Sequence, residues 1–231
     1  MLSRWFSFRH KNRLGYVVGS LIGVLALGLL LSKQHDDWHS SGPANAGHEK
    51  LVCNDCHRRA PGGTRQQIQA NLKQWLGLRR HNAYFQFNPV DNDYCLDCHE
   101  RPEDRHPVHR FNEPRFAEVR GKLHPESCTA CHAEHNHVRV TQSDIGFCQN
   151  CHQEFSLKHD TIDIPHQTLA KQRRWQTCLG CHDFHGNHKM NVPKTVDQAI
   201  PPDKIRDYFN GAESPYPGNL LHKAKEKLNA K

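Results

Sequence analysis

Every cysteine of this chain belongs to one recurring pattern. The ten Cys form five pairs with two residues between them: Cys53 and Cys56, Cys95 and Cys98, Cys128 and Cys131, Cys148 and Cys151, Cys178 and Cys181. Each pair is followed directly by a histidine, at His57, His99, His132, His152 and His182. C-x-x-C-H is the attachment signature of c-type haem. The chemistry accounts for the spacing. Two thiols add to the two vinyl groups of one haem as thioethers, and the adjacent imidazole lies under the iron as proximal ligand. One helical turn presents all three groups. Two rival readings fit parts of the pattern. Cys128, Cys131, Cys148 and Cys151 match a zinc-ribbon spacing, and paired Cys in an oxidising compartment form disulfides. Neither needs His after the second Cys. With 20 His in 231 residues, one chosen position is His by chance about 9% of the time, and five in five is on the order of a few in a million. Five covalent haem c groups are therefore the expected cofactors.

Composition points the same way. Hydrophobic residues make up 36% of the chain and mean hydropathy is −0.83. So polar a chain buries too little apolar surface to offset the entropy of folding. Bound groups must then serve as the core, so that folding and cofactor binding are one event. The expected fold is mostly irregular, with short α-helices, cored by haem.

One segment departs from this polarity. Residues 14–31 (LGYVVGSLIGVLALGLLL) carry no charge, at the lower edge of the length that spans a bilayer. Arg4, Arg9, Lys11 and Arg13 precede it, and Lys33, Asp36 and Asp37 follow. The positive-inside rule places the N-terminus in the cytoplasm and everything after Ser32 outside. A cleaved secretory signal is the alternative, but the Ala44-Asn45-Ala46 pattern stands far from the apolar run. The expectation is a cytoplasmic segment 1–13, one N-terminal transmembrane helix over 14–32, a tether 33–50, a pentahaem domain 51–190 and a C-terminal extension 191–231. The chain would be single-pass in a bacterial inner membrane, with its haems in the periplasm.

Each iron has a second axial position, filled by His or Met in electron-transfer haems. Of the two Met, only Met190 is placed to ligate. Twelve further His remain available outside the motifs: 48, 81, 106, 109, 124, 135, 137, 159, 166, 185, 188 and 222. His48 and His124 stand shortly before Cys53 and Cys128. His135 and His185 follow His132 and His182 by three residues. A His one helical turn from a proximal His cannot take the same iron and would reach a neighbouring haem. His109 and His166 lie between motifs. The candidate distal ligands are His48, His109, His124, His135 and His166, with His185 a sixth.

The stretch from His124 to His152, HPESCTACHAEHNHVRVTQSDIGFCQNCH, resembles the cytochrome c3/c7 (class III) multihaem family. There, C-x-x-C-H, a nearby His and a short link to the next motif recur. The resemblance implies bis-His ligation, low potentials and little regular secondary structure. In plan the chain is also similar to NapC/NirT-type quinol dehydrogenases and to the pentahaem subunit of alternative complex III. The Met that commonly follows the first haem motif of NapC/NirT-type chains is absent, since Arg58 and Arg59 stand there.

Between the motifs, residues 64–80 (TRQQIQANLKQWLGLRR) place Ile68, Leu72, Trp75 and Leu76 at helical spacing, which predicts an amphipathic packing helix. The Pro-rich segment 101–115 reads as loop. The short link 133–147 suggests that haems three and four are neighbours. Residues 218–231 are a short basic helix candidate. The protein charge is +7. Ten propionates and five ferric cores bring the oxidised form to about +2, so the basic balance does not point to nucleic acid.

These readings give an electron carrier. Five closely spaced haems would pass electrons from a membrane donor, a quinol or membrane complex, to a periplasmic acceptor. A small multihaem oxyanion reductase is the alternative and needs an open iron site. The His surplus argues against one. A haem subunit of a larger respiratory complex differs in partner, not in chemistry.

Overall fold

A computed structural model describes residues 2–30, 40–154, 156–218 and 220–225. The chain divides into two compact units, Met1–Pro43 and Ala44–Lys231. The first unit carries helix α1 (Leu2–Leu30). Among the described residues, no helix is long and apolar enough to cross a membrane. This corrects the transmembrane anchor expected over 14–32. The uncharged part of α1 runs over 14–30, which at 1.5 Å per residue spans about 25 Å. A hydrocarbon core is about 30 Å thick. The first part of the expected tether, 33–39, with His35 and His39, lies outside the described residues.

The second unit is irregular chain punctuated by short helices. These are α2 (Cys53–Cys56), α3 (Thr64–Trp75), α4 (Asn92–Leu96), α5 (Ala117–Leu123), α6 (Cys128–Cys131), α7 (His166–Lys171), α8 (Cys178–Cys181) and α9 (Pro202–Phe209). Among the described residues there is no strand, only the isolated bridges Arg59–Phe87 and His188–Leu220. Three helices coincide with Cys-x-x-Cys pairs, because the pair is one turn long. The same hydrogen bond closes all five motifs. The amide of the motif His donates to the carbonyl of the first Cys at His57, His99, His132, His152 and His182, over 2.8–2.9 Å. Two thiols and an imidazole are thereby gathered on one turn.

Helix α3 starts where expected and stops at Trp75, short of Arg80. Gly77 adopts a left-handed φ of +74°. The Gly77 amide donates to Gln74 and the Leu78 amide to Lys73, the paired bonds of a glycine-terminated helix end. Its apolar stripe does not pack: Ile68, Leu72, Trp75 and Leu76 are all exposed, and Gln67 is the buried residue. The Gln67 amide nitrogen donates to the Ala60, Pro61 and Gly62 carbonyls, and its oxygen accepts from the Gln86 amide. A polar clamp, rather than an apolar face, fixes α3. The described part of the expected C-terminal helix, 220–225, is irregular.

The apolar core is small. Ile145, Leu179, Ile205 and Tyr216 are buried together, with Phe147, Phe184, Met190, Ile200, Tyr208 and Phe209 packed around them. Met190 is thus a core-packing side chain. Several of these residues follow the fifth motif, so the segment after residue 190 completes the core. Gly180, inside the fifth Cys pair, lies under the 199–200 backbone. A Cβ there would sit 2.5 Å from the Ile200 carbonyl oxygen. Gly180→Ala is expected to destabilise the holoprotein by roughly 2–3 kcal/mol through overpacking, lowering Tm by roughly 4–12 °C in a thermal melt.

Candidate metal centres

Each of the five motif histidines faces one histidine from elsewhere in the chain. His57 faces His135 with ring centres 6.3 Å apart. His99 faces His48 at 5.9 Å, and His132 faces His185 at 6.2 Å. His152 faces His106 at 6.3 Å, and His182 faces His166 at 6.1 Å. Two imidazoles on opposite sides of one metal ion, each with a metal–nitrogen bond of about 2.0 Å, hold their ring centres roughly 6.3 Å apart. The five separations lie within a few tenths of an ångström of that value, although the interplanar angles range from 22° to 89°. That spacing is compatible with each pair sharing one metal ion, which leaves the relative tilt of the rings free.

The second ring nitrogen is held in several of these histidines. With Nδ1 as donor, His48 donates to Glu134 over 2.6 Å, His166 to Asp160 over 2.9 Å and His185 to Asp104 over 3.1 Å. His106 likewise donates to the Phe184 carbonyl over 2.6 Å and His132 to the Arg139 carbonyl over 2.8 Å. A proton fixed on Nδ1 leaves the Nε2 lone pair for a metal and sets the ring orientation. Burial pushes His99, His106, His132 and His182 below the ordinary imidazole range, favouring the neutral, ligating form. The His48 ring is raised by its bond to Glu134.

Four of the six distal candidates named from spacing stand in these pairs: His48, His135, His166 and His185. His109 and His124 do not. His109 is exposed in the tight turn Val108–Asn112. His124 ends α5 with a left-handed φ of +48°. Its side chain is 66% exposed and bonds Glu126. The backbone position that closes α5 aims it at solvent. His106 takes the place opposite His152. One local signal would have singled it out. The Asp104 carboxylate accepts the amide of His106, and Asp183 accepts that of His185. Both are Asp-x-His turns, which fix the backbone of the ring-bearing residue. His188 is a different case: buried, bonded to Asp183 and stacked on Tyr216, it is a core residue.

None of the ten cysteines is joined in a disulfide. Between motifs, Asn92 at the start of α4 accepts from the Cys128 amide and donates to the Glu126 carbonyl, and a Cβ on Gly146, just before the fourth motif, would lie 3.2 Å from the Trp175 side chain, just before the fifth. Motifs two and three thus lie side by side, as do four and five. Loop 132–135 joins further sites: His132 belongs to one pair, His135 to a second, and Glu134 bonds the ring of a third. The buried Asn45 pins this loop, donating to the Ala133 carbonyl and accepting from the Asn136 amide. Among the described residues, no three or more His, Cys, Asp or Glu converge on a single point. The histidines come as facing pairs beside Cys turns, a donor set that fits a porphyrin held by two thioethers and two axial imidazoles. No family model matches the chain, and no curated protein or solved structure matches it.

Proposed function

We propose that the chain is a five-haem c-type cytochrome that transfers electrons, with both axial positions of every iron taken by His. The observation that carries the reading is the facing of each C-x-x-C-H histidine by one other histidine at 5.9–6.3 Å. Haem supplies a one-electron iron couple when bound. The chain's residues do the rest. Cys53 and Cys56, Cys95 and Cys98, Cys128 and Cys131, Cys148 and Cys151, and Cys178 and Cys181 tether it. His57, His99, His132, His152 and His182 bind from one side, and His135, His48, His185, His106 and His166 from the other. The Nδ1 acceptors hold the rings in place. Closed axial positions favour transfer over substrate binding.

The reading places the haem unit in the periplasm, where paired thiols left free would oxidise and thioether bonds consume them. Its redox partners would be a quinol-oxidising or other respiratory membrane complex as donor and a periplasmic acceptor. The test is the protein expressed with the c-type maturation machinery. Mass spectrometry is expected to give five haems per chain, and electron paramagnetic resonance only low-spin ferric signals. A high-spin ferric signal that shifts on adding nitrite or cyanide would overturn closed ligation and favour the reductase.

A further inference from the structure

The acceptors behind His48, His106, His166 and His185 are of two kinds. The rings of His48, His185 and His166 donate to carboxylates, at Glu134, Asp104 and Asp160. The His106 ring donates to a backbone carbonyl at Phe184. An ionised acceptor draws the Nδ1 proton, makes Nε2 a stronger donor, and adds a negative charge one ring away from the metal. All three effects favour ferric iron, which carries one more positive charge than ferrous. A neutral carbonyl does this more weakly. Screening is limited, because the carboxylate side chains are only 10% exposed at Asp104, 15% at Asp160 and 31% at Glu134.

From this contrast, and resting on the His pairing proposed above, we infer that Glu134, Asp104 and Asp160 are positioning residues that lower the potentials of three particular haems. These are the ones held by His48 with His99, His185 with His132 and His166 with His182. The haem held by His106, whose ring donates to a neutral carbonyl, gains no such lowering from that side. The three carboxylates thereby build unequal potentials into an otherwise uniform set of ligands, and give electrons a preferred resting place.

The test is a potentiometric titration of the holoprotein, with dithionite as reductant and each low-spin signal followed by electron paramagnetic resonance. Each step adds one electron to one ferric iron and breaks no bond. Glu134→Gln is expected to raise the ferrous-to-ferric ratio of one haem about tenfold at fixed potential, a shift of 59 mV for a one-electron couple. Asp104→Asn and Asp160→Asn are expected to move two other haems, and they carry the same test if Glu134→Gln fails to accumulate. Glu118→Gln removes an equal charge from the surface of α5, where Glu118 pairs with Lys122, and should move none. Five low-spin irons whose potentials are unmoved by all three variants would overturn the inference and leave the pairing standing. So would a shift of all five together. A high-spin iron in the unaltered protein would overturn the pairing and the inference with it.

Discussion

Replacing His106 with Met is expected to raise the midpoint potential of one haem of five by on the order of 0.2 V, a fraction of the ≈0.8 V over which axial ligands set haem potentials. The other four should stay near their original values. The argument is geometric. The His106 ring centre lies 6.3 Å from that of His152, and its Nδ1 is held by the Phe184 carbonyl, so its Nε2 is the one free to ligate. The ring also stacks on Phe184 at 4.3 Å, which fixes its plane. A Met at this position reaches into the same space with a softer donor that favours ferrous iron and raises the potential. Potentiometric titration of the holoprotein measures the change. His109→Met and His124→Met are the controls: both histidines are exposed, and both variants should titrate like the parent. A shifted haem in His109→Met and none in His106→Met would reassign the ligand opposite His152.

The contrast between His106 and His109 marks where sequence reasoning reaches its limit. The grouping of motif cysteines and histidine was legible because it is local: one turn, closed by one hydrogen bond, carries all three groups. His48, His135, His166 and His185 could be named because they stand near motifs or alone between them. Which motif histidine each would face was not legible. His135 follows the third motif yet faces the first, and His185 follows the fifth yet faces the third. Those choices are made by long-range contacts such as Asn45 with Ala133, or Asp104 with His185. Spacing could not separate His106 from His109 because both lie in one short segment. The Asp-x-His turn separates them, and so does the Nδ1 acceptor, which comes from 78 residues away. Helical periodicity found α3 but misjudged its packing. The apolar stripe is exposed while Gln67, a polar residue with four backbone partners, is buried. The uncharged N-terminal run was read as spanning from its lack of charge and a length at the lower edge of what a bilayer needs; the uncharged part of α1 falls short of that thickness.

Without covalent haem, the unit 44–231 is expected to have no cooperative unfolding transition and to be cleaved rapidly by protease. The reason lies in what the protein buries by itself. Among the described residues, the large side chains that are fully enclosed are Ile145 and Ile205, and the core cluster has four buried members including these two. Leu51, Val52, Tyr84, Phe85, Phe87 and Leu96, all near the first two motifs, are exposed. No sheet organises the backbone among the described residues, and five of the eight helices in this unit, α2, α4, α6, α7 and α8, are six residues or shorter. Such helices do not stand in water without tertiary support. Stability of even a few kcal/mol cannot come from so little buried apolar surface against the entropy of ordering the chain. On the proposed reading, porphyrin faces and the crosslinks made at each Cys pair would supply what is missing. The measurement is circular dichroism during thermal denaturation, with limited proteolysis, on the chain expressed with and without the maturation machinery. A sharp melt in the haem-free chain would mean that the side chains suffice, and would remove the main physical reason for reading the ten cysteines as the framework of the fold.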